Sequence, residues 1–197
     1  MKRLMDSGLF RTGLPVVALM LFGILIYGTA NLGYAKSPAS PSLAETEVEW
    51  RQIVGIIAPG NTVGSGTGKA TGGGTPWTTS RGNAEVNLTT GDLRFNVEGL
   101  VLAGGNSIGT PDGVTTVKGT LVCDTTGVNS PNSVLVDSSL VPLDAQGDAK
   151  FKGNLGILPA ACTSQPNIAF LIRTASGGWM ASGMVRVTET DDDHDRR

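Results

Sequence analysis

The chain has 197 residues, of which 28 are glycine, and a formal net charge of −2 at pH 7. This balance argues against a nucleic-acid binder, which needs a concentrated basic face, and it offers no polybasic patch for anionic membranes. Helix formers are sparse, whereas Val, Thr, Leu and Ile recur in short runs broken by Gly, Asn, Asp and Pro. This composition predicts an all-β protein.

The N-terminal segment has the pattern of a secretory signal. Basic residues precede thirteen uncharged, mostly apolar residues, Leu14 to Ile26, and small residues follow. Cleavage is predicted after Ala35, and the second candidate cleavage site follows Ala30. The alternative is an uncleaved helix that anchors the chain, because no charge lies between Arg11 and Lys36 and about 20 such residues span a bilayer.

Four segments are therefore expected along the chain. Residues 1–35 are predicted as a signal peptide or anchor, 36–44 as a disordered linker, 45–187 as one folded domain, and 188–197 as an acidic disordered tail. Cleavage would place the domain in the periplasm, at the cell surface or in the medium. Retention of the first segment would give a single-pass membrane-anchored protein.

The folded domain is predicted to begin with a strand, Glu45 to Ala58, whose first turn could instead be helical. The glycine-rich segment Gly60 to Thr79 follows and is predicted to be a flexible loop. The clearest signal comes next: apolar and polar residues alternate over 84–88 and again over 93–97, around the turn 90–92. Two period-2 runs around a glycine turn predict an antiparallel hairpin with one buried face.

Short apolar runs continue at regular spacing to the end of the domain. Strands are predicted over 114–123, 133–143, 149–158, 167–173 and 179–187. About eight strands in all favour a single antiparallel β-sandwich. The residues expected in its core include Val117, Leu121 and Val122.

Two cysteines, Cys123 and Cys162, lie in the predicted exported part. An even number in an oxidising compartment indicates one disulfide. Its loop of about 40 residues would stabilise the fold by roughly 3–4 kcal/mol. Two buried free thiols are the alternative. Neither cysteine belongs to a Cys-x-x-Cys pair, so redox catalysis is not indicated.

No catalytic, metal or cofactor motif is recognised. The single histidine, His194, lies in the acidic tail, which leaves no histidine in the folded domain for zinc or Ser-His-Asp chemistry. In the glycine-rich segment, Gly68-Lys69 is followed by Ala70 rather than by Ser or Thr, so it does not match a phosphate-binding loop. We therefore expect a protein that is not an enzyme and binds no metal or cofactor.

Paired carboxylates would permit glycoside hydrolysis. Most acidic residues of the domain fall at turns or on the polar face of a strand, where solvation accounts for them, and no pair stands out. The available side chains are Glu85, Asp92, Glu98, Asp112, Asp124, Asp137, Asp144 and Asp148.

Trp77 is the one candidate for ligand binding. It lies in the Gly-Thr-Pro part of the predicted loop, and exposed aromatic rings on exported β-sandwiches stack on sugars or partner surfaces. The alternative is that the ring closes one end of the core. The same alternative is favoured more strongly for Trp179, at the start of a predicted strand.

The segment Gly82 to Leu100 resembles the repeating hairpin of CHRD-type exported domains. It consists of an alternating strand, Thr90-Gly91-Asp92, a second alternating strand and Gly99-Leu100. Those domains resemble superoxide dismutase in sandwich topology. Their histidine-containing segment is absent after Leu100, so the resemblance implies a fold and no metal site. The run 169–173 with Gly178-Trp179 is similar to the closing hairpin of uncharacterised exported bacterial proteins, which also implies a fold alone.

The sequence thus predicts an immunoglobulin-like or superoxide-dismutase-like sandwich preceded by an N-terminal signal or anchor helix. The expected function is a non-catalytic binding or structural module of the cell envelope or extracellular space, with a glycan or an envelope protein as partner. No nucleic-acid partner is expected, and membrane contact is expected only if the N-terminal segment is retained. The alternatives are a glycan-active hydrolase with paired carboxylates and a membrane-tethered envelope component.

Overall fold

The computed structural model describes residues 47–163 and 167–188. Its strands are β1 (Glu47–Gly55), β2 (Thr62–Val63), β3 (Ala70–Thr71), β4 (Trp77–Thr78), β5 (Arg81–Asn87), β6 (Asp92–Glu98), β7 (Val101–Leu102), β8 (Thr116–Cys123), β9 (Val134–Asp137), β10 (Val141–Pro142), β11 (Ala149–Asn154), β12 (Ile168–Thr174) and β13 (Trp179–Thr188). Within the described residues, one antiparallel sheet of nine strands has the order β10-β8-β12-β13-β1-β5-β6-β11, and β9 also pairs with β8. The all-β prediction is confirmed.

The predicted hairpin is the pair β5 and β6. Ala84 lies opposite Phe95 and Val86 lies opposite Leu93, and these four apolar side chains are buried. The turn contains Gly91 with φ of 78°, a conformation that glycine adopts without a steric penalty. Alternation along the sequence therefore specified both the register and the buried face.

The sheet curls so that β6 faces β8 and β12 across one core. The ring of Phe95 lies 5.7 Å from that of Phe170, and Phe170 lies 5.6 Å from Trp50 on β1. Gly119 on β8 makes room for this packing, because a Cβ atom there would come within 2.8 Å of the Phe95 ring. The predicted core residues of β8 are fully buried: Val117, Leu121 and Val122.

The glycine-rich segment is ordered rather than a flexible loop. It contains β2, β3 and β4 and a 3-10 turn, Gly66–Gly68. A Cβ atom on Gly68 would overlap the carbonyl oxygen of Ser133, and one on Gly64 would lie 3.0 Å from Val122. Trp179 also donates a hydrogen bond from Nε1 to the carbonyl of Asn61, at 3.0 Å. Glycine is used here for close packing of main chains, which composition alone does not distinguish from flexibility.

The strand predicted over 133–143 is interrupted. It forms β9 and β10, which pair with successive parts of the same edge of β8. Between them, the Ser138 hydroxyl accepts a hydrogen bond from the amide of Gly119, at 2.9 Å, and donates one to the carbonyl of Ser139, also at 2.9 Å. These side-chain bonds add to a backbone bond from the Ser138 amide to the Gly119 carbonyl, at 2.8 Å, where the chain turns out of the strand.

The predicted disulfide between Cys123 and Cys162 is present, with the two Cα atoms 4.8 Å apart. Cys123 ends β8, and Cys162 lies in the one-turn helix α1 (Ala160–Thr163). Both residues are buried. The bond therefore attaches the connection between β11 and β12 to the end of β8.

Several sequence predictions fall outside the described residues. These are the signal or anchor helix, the linker 36–44, His194 and the tail beyond Thr188, the residue that ends β13. Over 47–163 and 167–188, no helix has the length and apolar character needed to cross a membrane.

Candidate functional site

A groove opens where β1 separates from β5. The ladder between these strands runs only from Glu47 opposite Asn87 to Trp50 opposite Ala84, whereas β1 stays paired with β13 as far as Gly55. Beyond Trp50, β1 therefore forms one wall of an open groove of about 790 Å³. We call it the β1–β4 groove; its lining consists of residues 51–55, Ile57, 76–82 and Ala103.

An irregularity in β1 accompanies this separation. Arg51 and Gln52 are both exposed, which breaks the alternation of buried and exposed residues along the strand. The ladder to β13 also omits the pair of Arg51 with Val185, and Val185 has φ of 53°, which is unusual for a β-branched residue. The register between β1 and β13 is the same on both sides of the missing pair, and Arg51 lies at the surface beside the groove.

Direct bonds hold the two walls together at the floor. The Thr79 hydroxyl donates to the carbonyl of Ile53, at 2.6 Å, and the amide of Trp77 donates to the carbonyl of Ile56, at 2.8 Å. A Cβ atom on Gly82 would lie 2.9 Å from the Ile53 side chain. The groove is therefore built on packed, hydrogen-bonded main chain.

Among the described residues, the charged side chains in the lining are two arginines. The Arg51 side chain is 49% exposed and lies 3.6 Å from the carboxylate of Glu49. The Arg81 side chain is 75% exposed, and its Nε donates to Glu98 Oε2 at 2.5 Å. The hydrogen bonds from Arg81 and Asn96 lower the pKa of Glu98. A guanidinium has five donors, and both arginine side chains lie at the surface of the groove, where an anionic ligand can compete with their present contacts.

The other end of the groove is apolar. Ile57 is 82% exposed, and Pro76 and Ala103 lie nearby in the lining, joined by a hydrogen bond from the Ala103 amide to the Pro76 carbonyl, at 2.9 Å. The groove thus combines cationic and apolar ends with a middle that contains the hydroxyl-bearing residues 78–80.

Trp77 does not form the exposed stacking ring of the binding hypothesis; it is buried, as the favoured alternative predicted. Its backbone pairs with Leu102 of β7, and the residue is only 5% exposed within the core. Its ring therefore closes the core, which was the alternative interpretation, and offers no stacking surface. Trp179 is also buried, as favoured, at 6% exposure.

The carboxylates named from the sequence mostly serve the fold. The buried Asp124 accepts hydrogen bonds from three successive amides, those of Val128, Asn129 and Ser130, at 2.9–3.2 Å. Asp148 accepts one from the amide of Gly99, at 2.9 Å. Similar bonds engage Asp144, which accepts from its own turn, and Asp92, which contacts Thr90 and Asn154. Asp112 is exposed, with φ of 46°.

Asp137 forms a partly buried charge cluster on the outer side of β8 and β12. Its carboxylate accepts hydrogen bonds from Lys118, at 2.5 Å, Thr120, at 2.7 Å, and Arg173, at 3.1 Å. Desolvation by burial opposes ionisation, but the bonds from Lys118 and Thr120 and the charge of Arg173 outweigh it and lower the pKa of Asp137. The cluster links β8, β9 and β12.

One pair of carboxyl groups lies beside a second groove, of about 600 Å³. Glu47 and Glu85 share a hydrogen bond, which two carboxyl groups form only when one of them keeps its proton, and Glu85 also pairs with Arg94. The bond from Glu47 contributes most to lowering the pKa of Glu85, desolvation opposes it, and Arg94 contributes further lowering. Glycosidases hold their two carboxyl groups about 5–9.5 Å apart, so a directly bonded pair does not have that geometry.

The described residues contain no group of three or more potential metal-ligating His, Cys, Asp and Glu side chains. No protein-family model, curated protein or solved structure matches the chain. The resemblance of residues 82–100 to CHRD-type domains therefore stays a prediction.

Sequence reasoning missed the residues that form the β1–β4 groove. Arg51, Ile57 and Arg81 carry no local motif. The irregular β1 pattern, with two adjacent polar residues between Trp50 and Ile53, was the one available signal.

Proposed function

We propose that this protein is an exported, non-catalytic binding module of the cell envelope or extracellular space, and that its ligand occupies the β1–β4 groove. The observation that carries this proposal is the combination of two exposed arginines with an exposed isoleucine in one groove, on a chain that is net acidic. A rigid scaffold with such a concave surface is typical of recognition sites.

The disulfide and the N-terminal sequence support export. Disulfides persist in oxidising compartments outside the cytosol, and Cys123 and Cys162 are bonded and buried. The basic and apolar start of the chain has the pattern of a secretory signal.

Export is tested by the intact mass of the protein recovered from expressing cells, before and after reduction with thiol capping. We expect a chain that begins at Lys36 or Asn31, with two thiols that are capped only after reduction. A full-length mass would instead favour the membrane-tethered envelope component. Thiols capped without reduction would contradict the disulfide-closed module.

Binding is tested with a printed glycan array and a displayed peptide library. Thr78→Trp places a bulky ring at an exposed position of the groove lining, and Thr62→Trp places the same ring at an exposed position of β2. We expect at least one ligand class to bind the wild type and the Thr62 variant but not the Thr78 variant. Equal binding by both variants, or no binding by the wild type, would exclude the groove as the site.

A further inference from the structure

Building on the proposed function, we infer that the β1–β4 groove binds an extended, acidic segment of a partner polypeptide. Three features of the groove indicate this ligand: its charge, its length, and the order of polar and apolar residues along it. Each feature is set by β1 and by the segment that runs from Pro76 to Gly82.

The positive charges in the groove lining favour an anionic ligand. Arg51 and Arg81 come from opposite walls of the groove and are exposed. Their present contacts include Glu49, 43% exposed, and Glu98, 24% exposed. An ion pair at the surface contributes little stability, so a ligand carboxylate can compete with these contacts. Two guanidinium groups facing one groove can each bind a carboxylate through paired donors.

The length of the groove and the order of polar and apolar residues along it favour an extended polypeptide as ligand. From Arg51 to Gly55 the extended wall spans about 13 Å, which matches about four residues of a bound strand, and the chain then bends at Ile57. Acidic side chains of the ligand would lie at the arginine end, and an apolar side chain three to five residues away would contact Ile57 and Pro76. Between these ends, the residues 78–80 offer hydroxyl groups that suit the polar main chain of a peptide.

Other ligand classes fit these residues less well. Sugar rings stack on exposed aromatic side chains, but Trp77 is the one aromatic residue in the groove lining and it is buried. A lipid chain requires a continuous apolar wall, whereas Gln52, Thr79 and Ser80 interrupt it here. A polypeptide uses both the polar and the apolar parts.

The test is a displayed library of random heptapeptides, selected against the exported protein. We expect enrichment of peptides with Asp or Glu followed, three to five residues later, by a large aliphatic residue. The double variant Arg51→Gln with Arg81→Gln should bind a selected peptide at least about fivefold more weakly. The matched control is Lys69→Gln with Lys152→Gln, which removes the same charge at exposed positions outside the groove and should change affinity less than about twofold.

Two results of the peptide experiment would overturn the inference. One is enrichment of neutral or basic peptides. The other is an equal loss of peptide affinity in the arginine and lysine double variants. Unfolding midpoints confirm that all variants are folded. Binding of glycans or of vesicles containing anionic lipid, but not of peptides, would also refute it. If that binding is lost in Thr78→Trp, the proposed function stands; if no binding responds to Thr78→Trp, both fail.

Discussion

At the scale of single residues, glycine in this fold marks places where two main chains approach closely. Gly68 and Gly74 lie in the same segment, and neither has a positive φ. A Cβ atom on Gly68 would overlap the Ser133 carbonyl, whereas one on Gly74 would have no heavy atom within 4 Å. The two positions therefore form a matched pair for testing whether the segment is packed.

We predict that Gly68→Ala destabilises the protein by about 1–3 kcal/mol or more, because the added methyl group forces main chain apart. Gly74→Ala should change the free energy of unfolding little or raise it slightly, since it restricts only the unfolded chain. Urea unfolding of both variants measures the difference. Equal effects would show that the segment does not pack against Ser133 in solution.

Trp77 illustrates how burial changes the meaning of a residue. Removing an exposed ring costs little stability, whereas removing a ring that is only 5% exposed within the core costs much more. We predict that Trp77→Ala lowers the free energy of unfolding by about 3–5 kcal/mol. Ile57→Ala, at an exposed position, should stay within about 0.5 kcal/mol of wild type. A near-neutral Trp77 variant in chemical unfolding would refute the burial of its ring.

At the scale of elements, the disulfide joins a strand to a helix of one turn. Short helices are not stable in isolation, so α1 depends on its attachment to β8 through Cys123 and Cys162. The two cysteines are 39 residues apart in the sequence, and cross-linking them restricts the unfolded chain over the whole intervening segment.

We predict that Cys123→Ala combined with Cys162→Ala lowers stability by roughly 3–4 kcal/mol, the amount expected for closing a loop of this length. Reduction of the wild type should have a comparable effect. Denaturant unfolding with and without reductant provides the measurement. The double variant serves as the control, because its stability should not respond to reductant.

At the scale of the whole molecule, surface ionisation makes stability depend on pH. The pKa values of Asp92, Glu98 and Asp137 are all lowered by hydrogen bonds and nearby positive charges. A lowered pKa means that folding favours the ionised form. That stabilisation is complete above the unfolded pKa values, about 4, and is lost as the pH falls through the folded values.

We therefore predict that the Tm is lower at pH 3 than at pH 5, because over that interval these carboxyl groups take up protons more readily in the unfolded chain than in the folded protein. Thermal melts across the range give the profile. The Asp137→Asn variant should lose part of this acid dependence, since it removes the carboxylate bonded to Lys118 and Arg173. A Tm that rises between pH 5 and pH 3 would contradict the assignment.

The sequence alone determined the all-β class, the β5–β6 hairpin and the disulfide. The hairpin depends on alternation between neighbouring residues, which local sequence records directly, and the disulfide was inferred from two cysteines in a predicted exported domain. Only tertiary structure decided that Trp77 is buried, that the glycine-rich segment is ordered, and that a groove opens beside β1. Those features arise from contacts between distant parts of the chain, such as Gly68 with Ser133 and Trp77 with Leu102, and no local pattern specifies such contacts.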